Sequence, residues 1–190
     1  EGVEMSGTLQ AYDRLTNVAG PVSIAVSING ATPNRFGTAS AGVWTVSSVT
    51  AFPGDVVTVF VDGVDEANEA VGVFVYDGLG DMTGIELFEN HLSFSSDELT
   101  AVTFDKLALS GSTNIGDEDV FFDVAGSDLD VCGVGSCLDA NLYVGPANSF
   151  IISTSSSYTV ATHDFINDGT VEFDANTMEV SGSWENNNTV

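Results

Sequence analysis

Short runs of alternating or continuous apolar residues recur through the first 80 positions, and most are separated by Gly, Pro or Asn. Two of the dipeptides between these runs are typical of β-turns. Asn29-Gly30 supplies the positive φ of a hairpin, and Pro53-Gly54 fits the central positions of a type II turn. This pattern predicts an antiparallel β-sandwich over residues 1–80, with strands at residues 5–12, 22–28, 42–49, 55–63 and 70–76.

After residue 80 the apolar runs are shorter and recur roughly every 10 to 14 residues between Gly, Asn, Asp and Ser, and no segment has the period of a helix. Such spacing is typical of stacked solenoid rungs and of a second sandwich. We therefore predict an all-β protein: a β-sandwich module at 1–80, followed at 81–190 by a β-rich region with solenoid-like rungs. The alternative is one large jelly-roll-like sandwich.

The end of the chain, VEFDANTMEVSGSWENNNTV, repeats with a period of about 20 residues. Asp168-Gly169-Thr170 and Asn188-Thr189 occupy equivalent places in two successive copies. The last run is then the opening of a new rung, which a neighbouring unit would complete. The predicted assembly edge consists of Trp184, Asn187, Asn188, Thr189 and Val190.

Two resemblances extend this interpretation. The stretches SGTLQAYD, VSIAVSING and GVWTVSSVTAFPGDVVTVFVDG resemble the carboxypeptidase-regulatory or prealbumin-like β-sandwiches that are repeated in bacterial surface proteins, with Trp44 at the aromatic position and Ser47-Ser48 in place of the usual Ser-Gly. The segment HDFINDGTVEFDANTMEVSGSWENNNTV is similar to the rungs of large β-helical bacterial surface proteins and adhesins. These resemblances imply a stalk or spacer at a cell surface.

The charge of the chain disfavours two classes of partner. The chain has 28 acidic residues against three cations, and its formal net charge is -25. Nucleic acid and anionic membranes are disfavoured because both bind through clusters of Lys and Arg. Self-repulsion of this size destabilises a compact state unless salt or divalent cations offset it.

Clustered acidic residues on predicted turns suggest calcium as the cofactor, because Ca²⁺ takes six to eight oxygen ligands. The alternative is that they are ordinary turn and edge residues. None of the clusters matches an EF-hand loop. The predicted ligands are Asp62, Asp65, Glu66, Asp117, Asp119, Asp123, Asp128 and Asp130.

Cys132 and Cys137 are separated by four residues, two of them glycine, which suits a disulfide across a tight hairpin and leaves free thiols as the alternative. A disulfide would indicate an oxidising, extracytoplasmic setting. No leader precedes Glu1, so we expect a mature segment or a fragment. No apolar run approaches the roughly 18 residues that a transmembrane helix needs, so no membrane insertion is predicted.

Catalysis is not predicted. His91 and His163 lie far apart in the sequence, and no catalytic or phosphate-binding motif occurs. The sequence instead predicts an extracellular structural protein, a subunit or repeat of a surface filament, matrix or adhesin stalk. It would assemble head to tail with copies of itself or with adjacent repeats through strand edges. The alternative is a carbohydrate-binding or adhesive module with a glycan ligand, in which Trp184 is an exposed sugar platform rather than a packing residue.

Overall fold

A computed structural model of the protein describes residues 2–63, 68–131, 140–152, 158–173 and 176–188. Strands dominate, and the all-β prediction is confirmed. We call residues 2–88 the sandwich half and residues 91–188 the solenoid half. The strands of the sandwich half are β1 (Val3–Gln10), β2 (Val22–Ile28), β3 (Arg35–Ala39), β4 (Val43–Val49), β5 (Val56–Asp62), β6 (Val71–Val75) and β7 (Met82–Phe88).

The solenoid half follows after a tight turn. Its elements, in chain order, are β8 (His91–Phe94), β9 (Val102–Thr103), α1 (Phe104–Leu107), α2 (Ser112–Ile115), β10 (Phe122–Ala125), β11 (Asp128–Val131), β12 (Asn141–Val144), β13 (Ser149–Ile152), β14 (Thr159–Thr162), β15 (Phe165–Asn167), β16 (Thr170–Phe173), β17 (Thr177–Val180) and β18 (Trp184–Asn186).

One eight-stranded sheet, called the shared sheet below, runs through both halves in the order β18-β15-β12-β8-β6-β5-β2-β3. Successive side chains of a strand point to opposite faces. On β5, Val57 and Val59 therefore enter the core of the sandwich half, whereas Val56 and Phe60 enter the core of the solenoid half. Burial on both faces explains why β5 and β6 are continuous apolar runs rather than alternating ones.

The registers of the shared sheet align into rows that cross all eight strands. One row, the apolar row, lies on the face of the solenoid core. The interior members of this row are fully buried, whereas its two terminal members, on β3 and β18, are 57% and 49% exposed. In order from β3 to β18 the row is Phe36, Ala25, Phe60, Val71, Leu92, Leu142, Phe165 and Trp184.

Parallel pairing builds the solenoid half from stacked coils. The first coil contains β8, β9 and β11, the second β12, β13 and β14, and the third β15, β16 and β17, while β18 opens a fourth. Phe165 pairs with Trp184, 19 positions later, and Ser149 pairs with Thr170, 21 positions later. The predicted period of about 20 residues is confirmed from the second coil to the end of the described chain, where the strands stack as parallel rungs.

The beginning of the solenoid is covered by other elements. β6 lies beside β8, and β10 lies antiparallel beside β11. β9 leads directly into α1, and the two short helices contribute Phe104, Leu107 and Ile115 to the core. The first coil is therefore capped by the sandwich half and by its own helices.

The predicted turns are confirmed. Asn29 and Gly30 both have positive φ, 52° and 73°, and Pro53-Gly54 occupies a turn closed by the hydrogen bond from Asp55 N to Phe52 O at 2.9 Å. Ser48, at the position where Gly is usual in the resembling sandwiches, has φ 62°, a conformation that favours glycine.

Several elements were not predicted. Strand β3 has the sequence RFGTA, which carries little apolar pattern, and the two four-residue helices are too short to show a period. The boundary at residue 80 stays a prediction. Strand β7, which begins at Met82, pairs in parallel with β1 of the sandwich half.

Candidate functional site

The last strands of the solenoid form an open edge. β16, β17 and β18 are each the terminal strand of their sheet, on the side away from the first coil. Within the described part of the chain, no strand pairs with their outer sides. The outer backbone groups of a terminal strand are a template for pairing with another chain. We refer to β16, β17 and β18 together as the open edge.

The tail is hydrogen-bonded to the third coil on its inner side. Asn187 N donates to Asn167 O at 2.9 Å, and Asn167 Nδ2 donates to Asn186 Oδ1 at 2.8 Å. The side-chain amides of Asn187 and Asn188 donate to Asp168 Oδ1 and to Asp168 O, each at 2.8 Å. The inner side of β18 is thus paired within its own chain, and only its outer side can accept a partner strand.

The structure places three of the five predicted assembly-edge residues. Trp184, Asn187 and Asn188 lie at the start of the fourth coil, whereas Thr189 and Val190 lie outside the described residues. The Trp184 ring meets Phe165 edge to face, with ring centroids 4.8 Å apart, although 49% of the residue is exposed. Trp184 therefore packs on the third coil and presents its other side to the exterior.

The opposite edge of the shared sheet is β3. It pairs only with β2 in that sheet, and Arg35 and Phe36 on it are exposed. The Arg35 guanidinium donates to Ser48 O at 2.8 Å and to Asn34 O at 2.9 Å, which holds the cation at the start of the strand. The shared sheet thus ends in a terminal strand at each side.

An acidic cluster lies where the sandwich half meets the segment after α2. Carboxylate oxygens from Asp62, Asp117 and Asp119 all lie within 4.8 Å of one another. Gly63 N donates to Asp119 Oδ2 at 2.6 Å. Burial raises the pKa of Asp119, and the carboxylates of Asp117 and Asp62 raise it further, against the hydrogen bond from Gly63. Convergent carboxylates of this kind fit a hard cation such as Ca²⁺. We call these three residues the acidic trio.

The other predicted ligands do not join the acidic trio. Asp123 accepts a hydrogen bond from the Thr113 hydroxyl at 2.5 Å and lies opposite Asp130 across β10 and β11. Both border a cleft of about 410 Å³ that Asp117 also lines. Asp128 is exposed at the start of β11. Asp65 and Glu66 lie outside the described residues.

A loop of the sandwich half reaches across the coils, and the sequence did not single it out. Arg14, at φ 59°, lies with its guanidinium 5.1 Å from the centroid of the Tyr143 ring on the second coil. It also lies 3.9 Å from Asp168 of the third coil and 3.9 Å from Glu185 of the fourth. Asp13 fixes this loop by accepting hydrogen bonds from Leu15 N and Thr16 N. The sequence signal that could have pointed to Arg14 is that it is one of only three cations in the chain.

Beneath this loop is a cavity of about 320 Å³ whose floor contains His91. Burial lowers the pKa of His91 to about 4, so the ring is neutral at pH 7. Its Nδ1 contacts Glu89 O at 2.7 Å, and its Nε2 lies 3.2 Å from Asn141 Nδ2. Nδ1 therefore carries the proton and Nε2 accepts, which satisfies the ring.

Two further predictions concern the setting of the protein. Cys132 and Cys137 both lie outside the described residues. In the part of the chain that the structure describes, no helix has the length and apolar character that crossing a bilayer requires.

Comparisons with family profiles, with curated proteins and with solved structures found no match to this chain.

Proposed function

We propose that this chain is an extracellular structural protein of a cell surface, a subunit or repeat of a filament, matrix or adhesin stalk, with no catalytic role. It joins a neighbouring unit by strand pairing at the open edge. The observation that carries the proposal is the asymmetry of the solenoid. Its first coil is covered by β6, β10 and α1, whereas β16, β17 and β18 at its other end are all terminal strands in the described structure.

Strand addition supplies both affinity and selectivity. The main-chain groups on the outer side of β18 provide hydrogen bonds, and the alternating side chains choose the partner. Apolar side chains lie at the same end: Trp184 is 49% exposed, and Phe173, Met178 and Val180 are only partly buried against the core. A neighbouring unit would remove this apolar surface from water, which favours association.

Charge opposes the same contact. Two units that each carry a net charge of -25 repel one another, and this repulsion is screened beyond about 8 Å at physiological ionic strength. The acidic surface thereby keeps separate units soluble. A calcium ion at the acidic trio of Asp62, Asp117 and Asp119 would make the net charge less negative. It would also tie the end of β5 to the segment after α2.

Sedimentation velocity over a range of protein concentration, with calcium or with chelator, tests the proposal. We expect larger species as concentration and ionic strength rise, and a further increase with calcium. Replacing Asp117→Asn and Asp119→Asn removes the calcium effect, whereas the matched pair Asp128→Asn and Asp130→Asn keeps it. A single monomeric species under every condition would contradict the assembly function.

A glycan-binding role is the second candidate, and the exposed half of Trp184 favours it. If the wild type binds glycans on an array, Trp184→Ala loses this binding, and both proteins sediment alike, the glycan-binding role is supported and the structural role is contradicted. The structural role predicts the reverse: no glycan binding and weaker association in Trp184→Ala.

A further inference from the structure

The two terminal strands of the shared sheet match each other residue by residue. The apolar row begins with Phe36 on β3 and ends with Trp184 on β18. Both terminal side chains belong to the same row and therefore project from the same face of the sheet. Each is about half exposed, at 57% and 49%, while every residue between them is buried.

The neighbouring row ends in opposite charges. It begins with Arg35 on β3 and ends with Glu185 on β18. Its interior members are Val26, Val59, Gly72, Ser93, Tyr143 and Ile166. One of the three cations of the chain thus lies at one end of this row, and a carboxylate lies at the other.

Strand directions also fit. β18, β15, β12, β8 and β6 are mutually parallel, and three antiparallel pairings then lead from β6 through β5 and β2 to β3. β3 therefore runs opposite to β18. A second molecule placed beside the first in the same orientation therefore presents its β3 antiparallel to β18. Antiparallel strands pair through a regular ladder of main-chain hydrogen bonds.

We propose that the strand that pairs with β18 is β3 of a second copy, in the register that continues the rows of the shared sheet. In that register Trp184 lies opposite Phe36 of the neighbour and Glu185 lies opposite Arg35 of the neighbour. The rows then run without interruption from one molecule to the next. This partner rests on the assembly function proposed above and specifies it.

The alternative pairing of two open edges lacks this complementarity. It brings together two edges that both carry exposed acidic residues, Glu185 on β18 and Glu179 on β17, and like charges opposite each other across strands are destabilising. Pairing of β18 with β3 is heterologous, so it leaves a free β18 and a free β3 at the two ends and gives an open chain of molecules unless the rotation between neighbours closes a ring. The twist of the shared sheet would make that chain helical.

The test uses a variant with an altered β3 and an intact open edge, Arg35→Glu with Phe36→Ser. Its matched control is Lys106→Glu with Phe52→Ser, which makes the same changes at a partly buried cation, whose ammonium donates to Gly54 O, and at an exposed phenylalanine, both away from the two terminal strands. Circular dichroism and thermal melting establish that both variants fold. Sedimentation velocity then compares the variant, the control and the wild type.

We expect the β3 variant to associate at least tenfold more weakly than the wild type, and the control to associate like the wild type. Because the β3 variant keeps its open edge, it should also bind the end of a wild-type chain and shorten wild-type assemblies when it is mixed in as a minor component. Wild-type association that is unchanged in the β3 variant, or pairs formed by the β3 variant alone, would overturn the pairing of β18 with β3. A wild type that never associates would overturn the assembly function as well.

Discussion

In the sandwich half, the two sheets are joined to each other and to the chain that follows. β3 and β4 form a hairpin that links the shared sheet to the sheet of β4, β1 and β7, and the outer side of β7 is bonded to residues 95–97 through Glu86 N to Ser95 O and Asp97 N to Thr83 O. In the solenoid half, each coil covers the one before it, so the three strands of the open edge have only an inner neighbour in the described structure.

This difference appears in the burial along the shared sheet. All five residues of β6 are buried, whereas all three of β18 are exposed. A strand at the centre of the sheet is held by two neighbours and two cores, and a strand at the open edge is held by one neighbour and one core. We therefore expect stability to fall from β5 and β6 towards β18. A coil that is loosely held by its own chain is the part of the molecule that gains most from a neighbour.

The largest expected effect is at the centre of the shared sheet. Phe60→Ala removes a fully buried ring that packs in the solenoid core and should cost about 3–5 kcal/mol of unfolding free energy. Phe36→Ala, in the same row but 57% exposed, should cost less than about 0.5 kcal/mol in the monomer. Urea unfolding measures both. Equal losses would contradict the gradient along the row.

The second effect depends on pH and involves His91, at the junction of the two halves. The folded-state pKa of His91 is about 4, below the ordinary histidine pKa of 6.5, because burial disfavours the charged ring. Between these values only the unfolded chain binds the proton, so stability is lost as pH falls from 6.5 towards 4, by about 3 kcal/mol in total.

Unfolding measured from pH 7 to pH 4 in the wild type and in His91→Gln checks this effect. The difference between the two proteins isolates the histidine from the carboxylates, which also titrate in this range. We expect the wild type to lose stability relative to His91→Gln as the pH falls. Parallel pH profiles would show that His91 takes up its proton in the folded protein as readily as in the unfolded chain.

A smaller effect belongs to Trp184 at the open edge. Trp184→Ala removes one edge-to-face contact with Phe165, worth about 1 kcal/mol. Hydrogen exchange should accelerate at the amides of residues 184–188 and stay unchanged in β5 and β6. Faster exchange throughout the shared sheet would mean that the last coil is part of the main folding unit.

The smallest effect is at the loop that crosses the coils. Arg14→Ala removes two ion pairs at 3.9 Å and the contact with the Tyr143 ring. Because the Arg14 side chain is partly exposed, we expect the free energy of unfolding to fall by only about 0.5 kcal/mol. High salt should reproduce part of this loss in the wild type, because it screens the ion pairs. The measurement is exchange at the Asn187 amide. Exchange unchanged by either treatment would exclude a holding role for the loop.

Much of the fold was predictable because its information is local. The apolar runs and the Asn29-Gly30 and Pro53-Gly54 turns report backbone conformation directly, and the repeat spacing near Trp184 identifies stacked coils. Strand β3 was missed because only pairing with β2, and not its own sequence, makes it a strand. The sharing of one sheet by two cores is a property of the register between distant strands, which no local pattern encodes.

The site was less predictable. Acidic residues are so frequent that sequence proximity did not separate Asp62, Asp117 and Asp119 from the rest, and Asp62 is brought to the other two only by the fold. The match between Arg35 and Glu185 depends on eight strands in register. Trp184 was identified because an apolar residue that opens an incomplete repeat is visible in the sequence itself.

Electron microscopy of the purified protein at increasing concentration, with calcium or with chelator, is the most direct test of head-to-tail assembly. The predicted result is unbranched chains of molecules that lengthen with concentration and calcium and that shorten when the variant carrying Arg35→Glu and Phe36→Ser is added as a minor component. Fields of single particles under all conditions, or particles that stop at closed pairs, would contradict it.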